Sequence, residues 1–158
     1  MDYPGDGAKE RTSAIEEDAH VTYEIRTSLA DMDLDLVHQW LSTDAYWALG
    51  RSREAVATAA QHSLNVGAFT GDGRQVAYAR VVTDHANFAW LCDVYVDRDH
   101  RGRGLGGRLV ESVVGRLDEL GVRRTLLSTK DAHEVYRASG FEPLPDPTTW
   151  MIRTPPGS

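Results

Sequence analysis

Polar and apolar positions alternate with a period of two over residues 21–27 (Val-Thr-Tyr-Glu-Ile-Arg-Thr), the pattern of a half-buried strand. Leu36, Val37, Trp40 and Leu41 then recur at helical spacing and predict a short amphipathic helix. Ser52 is placed to cap a second, alanine-rich helix ending near His62. Two strand-like runs, 64–69 and 75–82, flank the hairpin signal Thr70-Gly71-Asp72-Gly73. A third run, 88–96, follows the turn Asp84-His85-Ala86-Asn87, so the three runs predict an antiparallel meander.

The strongest helical stripe follows: Leu105, Leu109, Val110, Val113, Val114, Leu117 and Leu120, stopped by Gly121. Residues 125–128 read as a buried strand. Asp131, with Glu134 three positions on, resembles a capping box for a helix through Ala138 that ends at Gly140. Residues 141–144 and 148–152 supply the last strand material. The order is β-α-α-β-β-β-α-β-α-β, and the crossover through the long helix makes its two flanking strands parallel.

A chain of 158 residues with 41% hydrophobic and 26% charged positions suits one globular domain. Residues 1–19 are polar and aperiodic and read as a flexible tail, either a leader or a cloning remnant. The domain spans 20–154, and 155–158 form a frayed end. No apolar run approaches the about 20 residues of a membrane span, and no secretory signal is expected. Cys92 is the single cysteine, which excludes an intrachain disulfide and suggests a cytoplasmic location. The net charge of −7 argues against nucleic acid as a partner. Six acidic against two basic residues within 1–19 account for −4 of it, so the body is only mildly acidic. Whether the protein is a monomer or a homodimer is left open.

The chemistry concentrates in Arg101-Gly102-Arg103-Gly104-Leu105-Gly106-Gly107, between a strand and the long helix. Glycines let the backbone approach a ligand and turn N–H groups into one concavity, while a helix N-terminus and nearby arginines add positive potential. The segment reads as a pyrophosphate cradle. Taken as Gly102-x-Gly104-x-x-Gly107, it matches the dinucleotide fingerprint of a Rossmann fold, which would make the protein an NAD(P)-binding oxidoreductase. That motif belongs after the first strand of a parallel unit, with a carboxylate about 20 positions on. Here three antiparallel strands precede it, and the next strand ends without a carboxylate.

Taken as Arg101-x-x-Gly104-x-Gly106, the loop resembles the pyrophosphate signature of the GCN5-related N-acetyltransferases. Asp93-Val-Tyr-Val-Asp97 before it, and Tyr136-Arg-Ala-Ser-Gly140-Phe141 near the C-terminus, resemble that family's other motifs. The resemblance implies an α/β fold with a mixed, mostly antiparallel sheet of about six to seven strands and helices on both faces. It also implies acetyl-coenzyme A as acetyl donor and a primary amine of a small molecule or peptide as acceptor. The backbone of Val94, Tyr95 and Val96 would hold the pantetheine arm. Arg101, Gly102, Arg103, Gly104, Leu105, Gly106 and Gly107 would hold the diphosphate. Thr129 stands where relatives often carry an asparagine that touches the cofactor, and its hydroxyl can still hydrogen-bond. Tyr136 takes the position of the general acid that protonates the departing thiolate.

Some relatives place a glutamate base at positions corresponding to Trp90 or Cys92, neither of which is a base here. Asp93, Asp84 and His85 are the remaining candidates, alongside loss of the amine proton to solvent. Strand parity points Asp93 to the opposite face unless a bulge re-aims it, and it reads as a buried structural aspartate. The resemblance also implies an acceptor side formed by Tyr46, Trp47, Arg51 and Ser52, opposite Asp84 and His85, where Arg51 would favour a carboxylate-bearing acceptor. No cluster has metal-ligand spacing, so no metal is expected. A non-catalytic acyl-coenzyme A-binding module is the main rival reading.

Overall fold

The structure is a computed structural model describing residues 21–158. The tail expected over residues 1–19 therefore lies outside the described residues. Among these, five strands form one sheet in the order β1-β2-β3-β4-β5. Strand β1 is Tyr23–Arg26, β2 is Leu64–Thr70, β3 is Gln75–Thr83 and β4 is Phe88–Val96. These four pair antiparallel, and β5 (Arg124–Leu126) joins β4 in parallel, so the crossover has the predicted sense.

Two helices, α1 (Leu34–Thr43) and α2 (Arg53–Gln61), cover one face. Val37, Trp40 and Leu41 of α1 and Val56 of α2 are buried there with Phe69, Tyr78 and Tyr95 of the sheet. Ser52 caps α2 as its sequence position suggests, its hydroxyl accepting from the Ala55 N–H at 3.1 Å. The long helix α3 (Leu105–Glu119) covers the other face. Its Leu105, Leu109, Val110, Val113 and Leu117 are buried against Val66, Ala79, Val81, Ala89 and Leu91. The helical stripe thus becomes half of a core, and the alternating strands supply the other half.

The structure differs from the sequence reading after β5. Among the described residues the sheet has five strands rather than six to seven, because residues 141–144 and 148–152 form none. Pro143 removes a ladder donor from the first stretch, and Pro145 and Pro147 follow directly after it. In the second, Pro147–Thr149 closes a 3₁₀ turn capped by Asp146, and Met151 and Ile152 stand almost fully exposed. The capping box at Asp131 is also absent. Helix α4 (His133–Arg137) starts after Ala132, and it is the Thr129 hydroxyl that accepts the Ala132 N–H, at 3.1 Å.

One irregularity positions everything that follows. Tyr78 pairs with Tyr95 but Arg80 pairs with Cys92, so Asp93 and Val94 together oppose Ala79. Asp93 has φ of 53°, the left-handed conformation of a bulge residue. Before the bulge Ala89 and Leu91 face α3; after it Val94 and Val96 do. Asp93 and Tyr95 are thereby turned to the α1–α2 side.

Candidate functional site

Strands β4 and β5 separate almost as soon as they meet. Among the described residues their ladder runs only from Phe88–Arg124 to Trp90–Leu126. Beyond it opens a cleft of about 860 Å³, within the range of small-molecule and cofactor sites. One wall is Val94, Tyr95 and Val96 of β4. The other is Ser128, Thr129 and Lys130 after β5, with Val135 and Tyr136 of α4. The floor at one end is the glycine loop opening α3.

That loop has the form of an anion cradle. Gly104 is the N-cap of α3 with φ of 75°, and Gly102 shares that conformation. A glycine N-cap offers no side chain to the first-turn N–H groups, and no acidic residue sits in that turn. The helix therefore presents its positive end to the cleft. A Cβ added at Gly102, Gly104 or Gly107 would meet no atom within 4 Å, so the space above the loop is open to a ligand. Gly106 and Leu105 also line the cleft, as does Arg101, whereas the Arg103 side chain does not.

The Arg101 guanidinium is turned inward. Its Nε donates to the Val96 carbonyl at 2.9 Å, and it lies over the Tyr95 ring and pairs with Asp44 at 3.3 Å. Asp44, at the C-terminal end of α1, also accepts from the Tyr95 hydroxyl at 2.6 Å and from Arg98. The hydrogen bonds from Arg98 and Tyr95 hold its carboxyl well below the usual carboxylate range. This hub ties the loop to the helical layer. The Tyr95 ring stacks on Trp40 at 5.3 Å and the residue is buried, so its side chain is committed to the helical layer.

Tyr136 sits at the rim. Gly140 adopts φ of 89° and turns the chain back, letting the Phe141 N–H donate to the Tyr136 carbonyl and the Phe141 ring meet the Tyr136 ring edge-on at 6.0 Å. The Tyr-x-x-x-Gly-Phe spacing is thus a device for fixing one phenol. Burial, with smaller contributions from Tyr46 and Asp131, pushes that phenol above its ordinary pKa.

At the other end lies a cluster that the sequence only half revealed. The Asp93 carboxylate, 4% exposed, accepts from Trp47 Nε1 at 3.0 Å, Arg51 Nη1 at 2.8 Å and Arg80 Nε at 2.9 Å. Burial raises its carboxyl, but the charges and hydrogen bonds of Arg80 and Arg51 prevail and hold it below the ordinary value. Tyr46 spans the opening, its hydroxyl accepting the Lys130 N–H at 3.1 Å while the Lys130 ammonium rests over its ring. Tyr46, Trp47 and Arg51 line the cleft. Ser52, Asp84 and His85 do not. Asp84 instead accepts the N–H groups of Ala86, Asn87 and Phe88, which hold its carboxyl below the ordinary value and lock the β3–β4 turn. His85 serves that turn through its own positive φ of 64°.

Arg80, Asp44 and Arg98 were missed. An arginine inside the apolar run of β3 is a legible signal, since a half-buried guanidinium needs a carboxylate somewhere. Nothing near Asp44 in sequence marks its partners, which lie more than fifty positions away.

Comparison with known proteins agrees with this geometry. Residues 34–141 match the acetyltransferase (GNAT) family. Histone acetyltransferase TAP1 of Glycine max is 35% identical over 83 residues, covering 52% of this chain and 36% of that protein. The chloroplastic GCN5-related N-acetyltransferase 2 of Arabidopsis thaliana is 33% identical over 92 residues, covering 54% and 36%. The chain thus spans about a third of the length of these curated relatives. A crystal structure of a Xanthomonas campestris protein assigned to the GNAT acetyltransferases superposes with TM-score 0.80 at 43% identity, covering 86% of this chain and 95% of that one. The ribosomal-protein-S18-alanine N-acetyltransferase of Escherichia coli shares the fold, with TM-score 0.63 at 24% identity over 77% and 78% of the two chains. A mixed sheet whose glycine loop follows its fourth strand is not a Rossmann fold, and the dinucleotide reading falls with it. From sheet order, glycine cradle and relatives alike, the chain belongs to the acetyltransferase (GNAT) family.

Proposed function

We propose that this protein transfers the acetyl group of acetyl-coenzyme A to a primary amine of a small molecule or peptide. The observation that carries the reading is one continuous cleft with an uncapped helix N-terminus at one end, a half-buried phenol along its wall and an arginine-aspartate cluster at the other end. Acetyl-coenzyme A supplies the activated acetyl thioester. The N–H groups of the Gly102–Gly107 segment, together with the positive end of α3, suit its diphosphate. The splayed backbone of Val94 and Val96 suits the pantetheine arm, and a backbone N–H there can stabilise developing negative charge.

Tyr136 holds the proton that the departing sulfur requires. Its raised pKa keeps the phenol protonated throughout the neutral range. Asp93 is a poor base, because two guanidiniums stabilise its charged form. Asp84 is a poor base for the same kind of reason and lies outside the cleft. The amine therefore reacts in its neutral form after losing a proton to solvent, and the cations at Arg51 and Arg80 disfavour its ammonium form. A single half-buried cysteine suits a cytoplasmic setting.

Calorimetry with acetyl-coenzyme A, followed by a thiol-release assay over an amine panel, tests the proposal. The expected result is binding together with amine-dependent thiol release. Binding without release from any amine would reduce the protein to an acyl-coenzyme A-binding module. Failure to bind would sink the reading.

A further inference from the structure

We propose that the acceptor is an amine bearing a carboxylate, and that Arg51 is the residue that grips that carboxylate. The inference rests on the acetyltransferase reading and names the substrate class of the same cleft. It begins with charge. Two guanidiniums, Arg51 and Arg80, share the one carboxylate of Asp93, so the inner end of the cleft keeps an excess positive charge. Cys92 does not offset it, because burial pushes the thiol up to about 11 and keeps it neutral. The other charged groups at this end are Lys130 and Asp131, one of each sign. The remaining arginines of the cleft, Arg98 and Arg101, belong to the far end, where Asp44 holds them.

Arg80 and Arg51 are not equivalent. Arg80 is committed on two sides, to Asp93 through Nε and to the Ser63 hydroxyl through Nη1 at 3.0 Å, and its side chain is only 14% exposed. Arg51 meets Asp93 through Nη1, and its side chain is 25% exposed at the cleft wall. A guanidinium has five N–H donors in a planar fork, so one contact leaves capacity for a second carboxylate. Its backbone is anchored as well: Arg51 N donates to the Ala48 carbonyl at 3.0 Å, and the Arg51 carbonyl hydrogen-bonds His38 Nε2 at 3.1 Å. The guanidinium is thus delivered from a fixed point, which is what selective anion binding requires. Tyr46, Trp47 and Trp90, each about two-fifths exposed, line the same end and offer apolar walls to the body of the acceptor.

The test compares common amino acids, each beside its carboxamide and its decarboxylated amine, by kcat/KM at saturating acetyl-coenzyme A. Wild type should prefer at least one carboxylate-bearing member over its neutral partners by roughly 10- to 150-fold, the worth of charge-assisted hydrogen bonds. In R51Q that preference ratio should collapse towards one, and R51K should restore part of it. Unchanged acetyl-coenzyme A affinity shows that each variant is folded. Equal turnover of acid and amide by wild type, a preference for a phosphorylated amine, or a ratio unmoved in R51Q would each overturn the proposal. If no amine is acetylated, the same amino acids are titrated against the coenzyme A-saturated protein by tryptophan fluorescence. Carboxylate-selective binding that R51Q abolishes would then uphold this site while sinking the transferase reading, and no such binding would sink both.

Discussion

Asp93 and Tyr136 carry the residue-scale argument, because each is a titratable group whose surroundings set its charge. Removing the Asp93 charge with D93N leaves Arg51 and Arg80 facing a neutral amide in a largely desolvated site. The expected cost is about 3–5 kcal/mol, measured by urea unfolding near neutral pH. The pH dependence has a definite sign. A carboxyl held below its unfolded value stabilises the fold above that value, about 3.9, and the contribution is lost as pH falls through the folded value. The acid limb of the stability profile should therefore be shallower in D93N. For Tyr136 the shift is upward, so the phenol stays protonated until the pH exceeds the ordinary tyrosine value of about 10. Y136F should lower kcat by about 10²- to 10⁴-fold, with acetyl-coenzyme A affinity nearly unchanged. Loss of binding in proportion to turnover would assign the ring a packing role instead.

At the scale of elements, the glycine that caps α3 and one in its interior have opposite meanings. Gly104 has φ of 75° and opens onto the cleft. A valine there costs about 1–2 kcal/mol of backbone strain and puts a branched side chain where the diphosphate is expected, so calorimetry should show acetyl-coenzyme A affinity falling sharply. Gly115, an exposed position in the middle of the same helix, has no heavy atom within 4 Å of an added Cβ. G115A should stabilise the protein by roughly 0.5–1 kcal/mol without touching affinity. The bulge in β4 is the other decisive element. One extra residue in a nine-residue strand turns Asp93 from the α3 core towards Arg51, and beside it β4 and β5 part.

At the scale of the molecule, two cores back onto one sheet, and the cleft lies where the sheet comes apart between them. Asp44 and Asp93 join the α1–α2 layer to β4 across that boundary. A ligand bound there stabilises the whole fold by linkage, about 2.7 kcal/mol at a hundredfold excess over Kd. For a protein of this size that corresponds to roughly 5–10 °C in Tm. Differential scanning calorimetry should show such a rise with acetyl-coenzyme A and none with NADH or NADPH. A rise with the nicotinamide nucleotides alone would contradict the site as described.

The sequence by itself determined the local pieces: the strand and helix order as far as α4, the glycine cradle, and the phenol whose spacing to Gly140 and Phe141 fixes its ring. Each of these is written in neighbouring residues, where periodicity, capping and glycine conformation act over a few positions. Tertiary structure alone decided the rest. Strand parity sends Asp93 to the wrong face, and only pairing with β3 creates the bulge that reverses it. Arg80 and Asp44 find partners 13 and 51 or more positions away, pairings that no local pattern encodes. Prolines at 143, 145 and 147 overrode the β-propensity of the last segment, because a missing N–H cannot be replaced by a favourable side chain. The glycine-loop end of the cleft was legible because backbone conformation makes it. The end built around Asp93 was not, because it is made of side chains that meet only when the sheet and its helices close together.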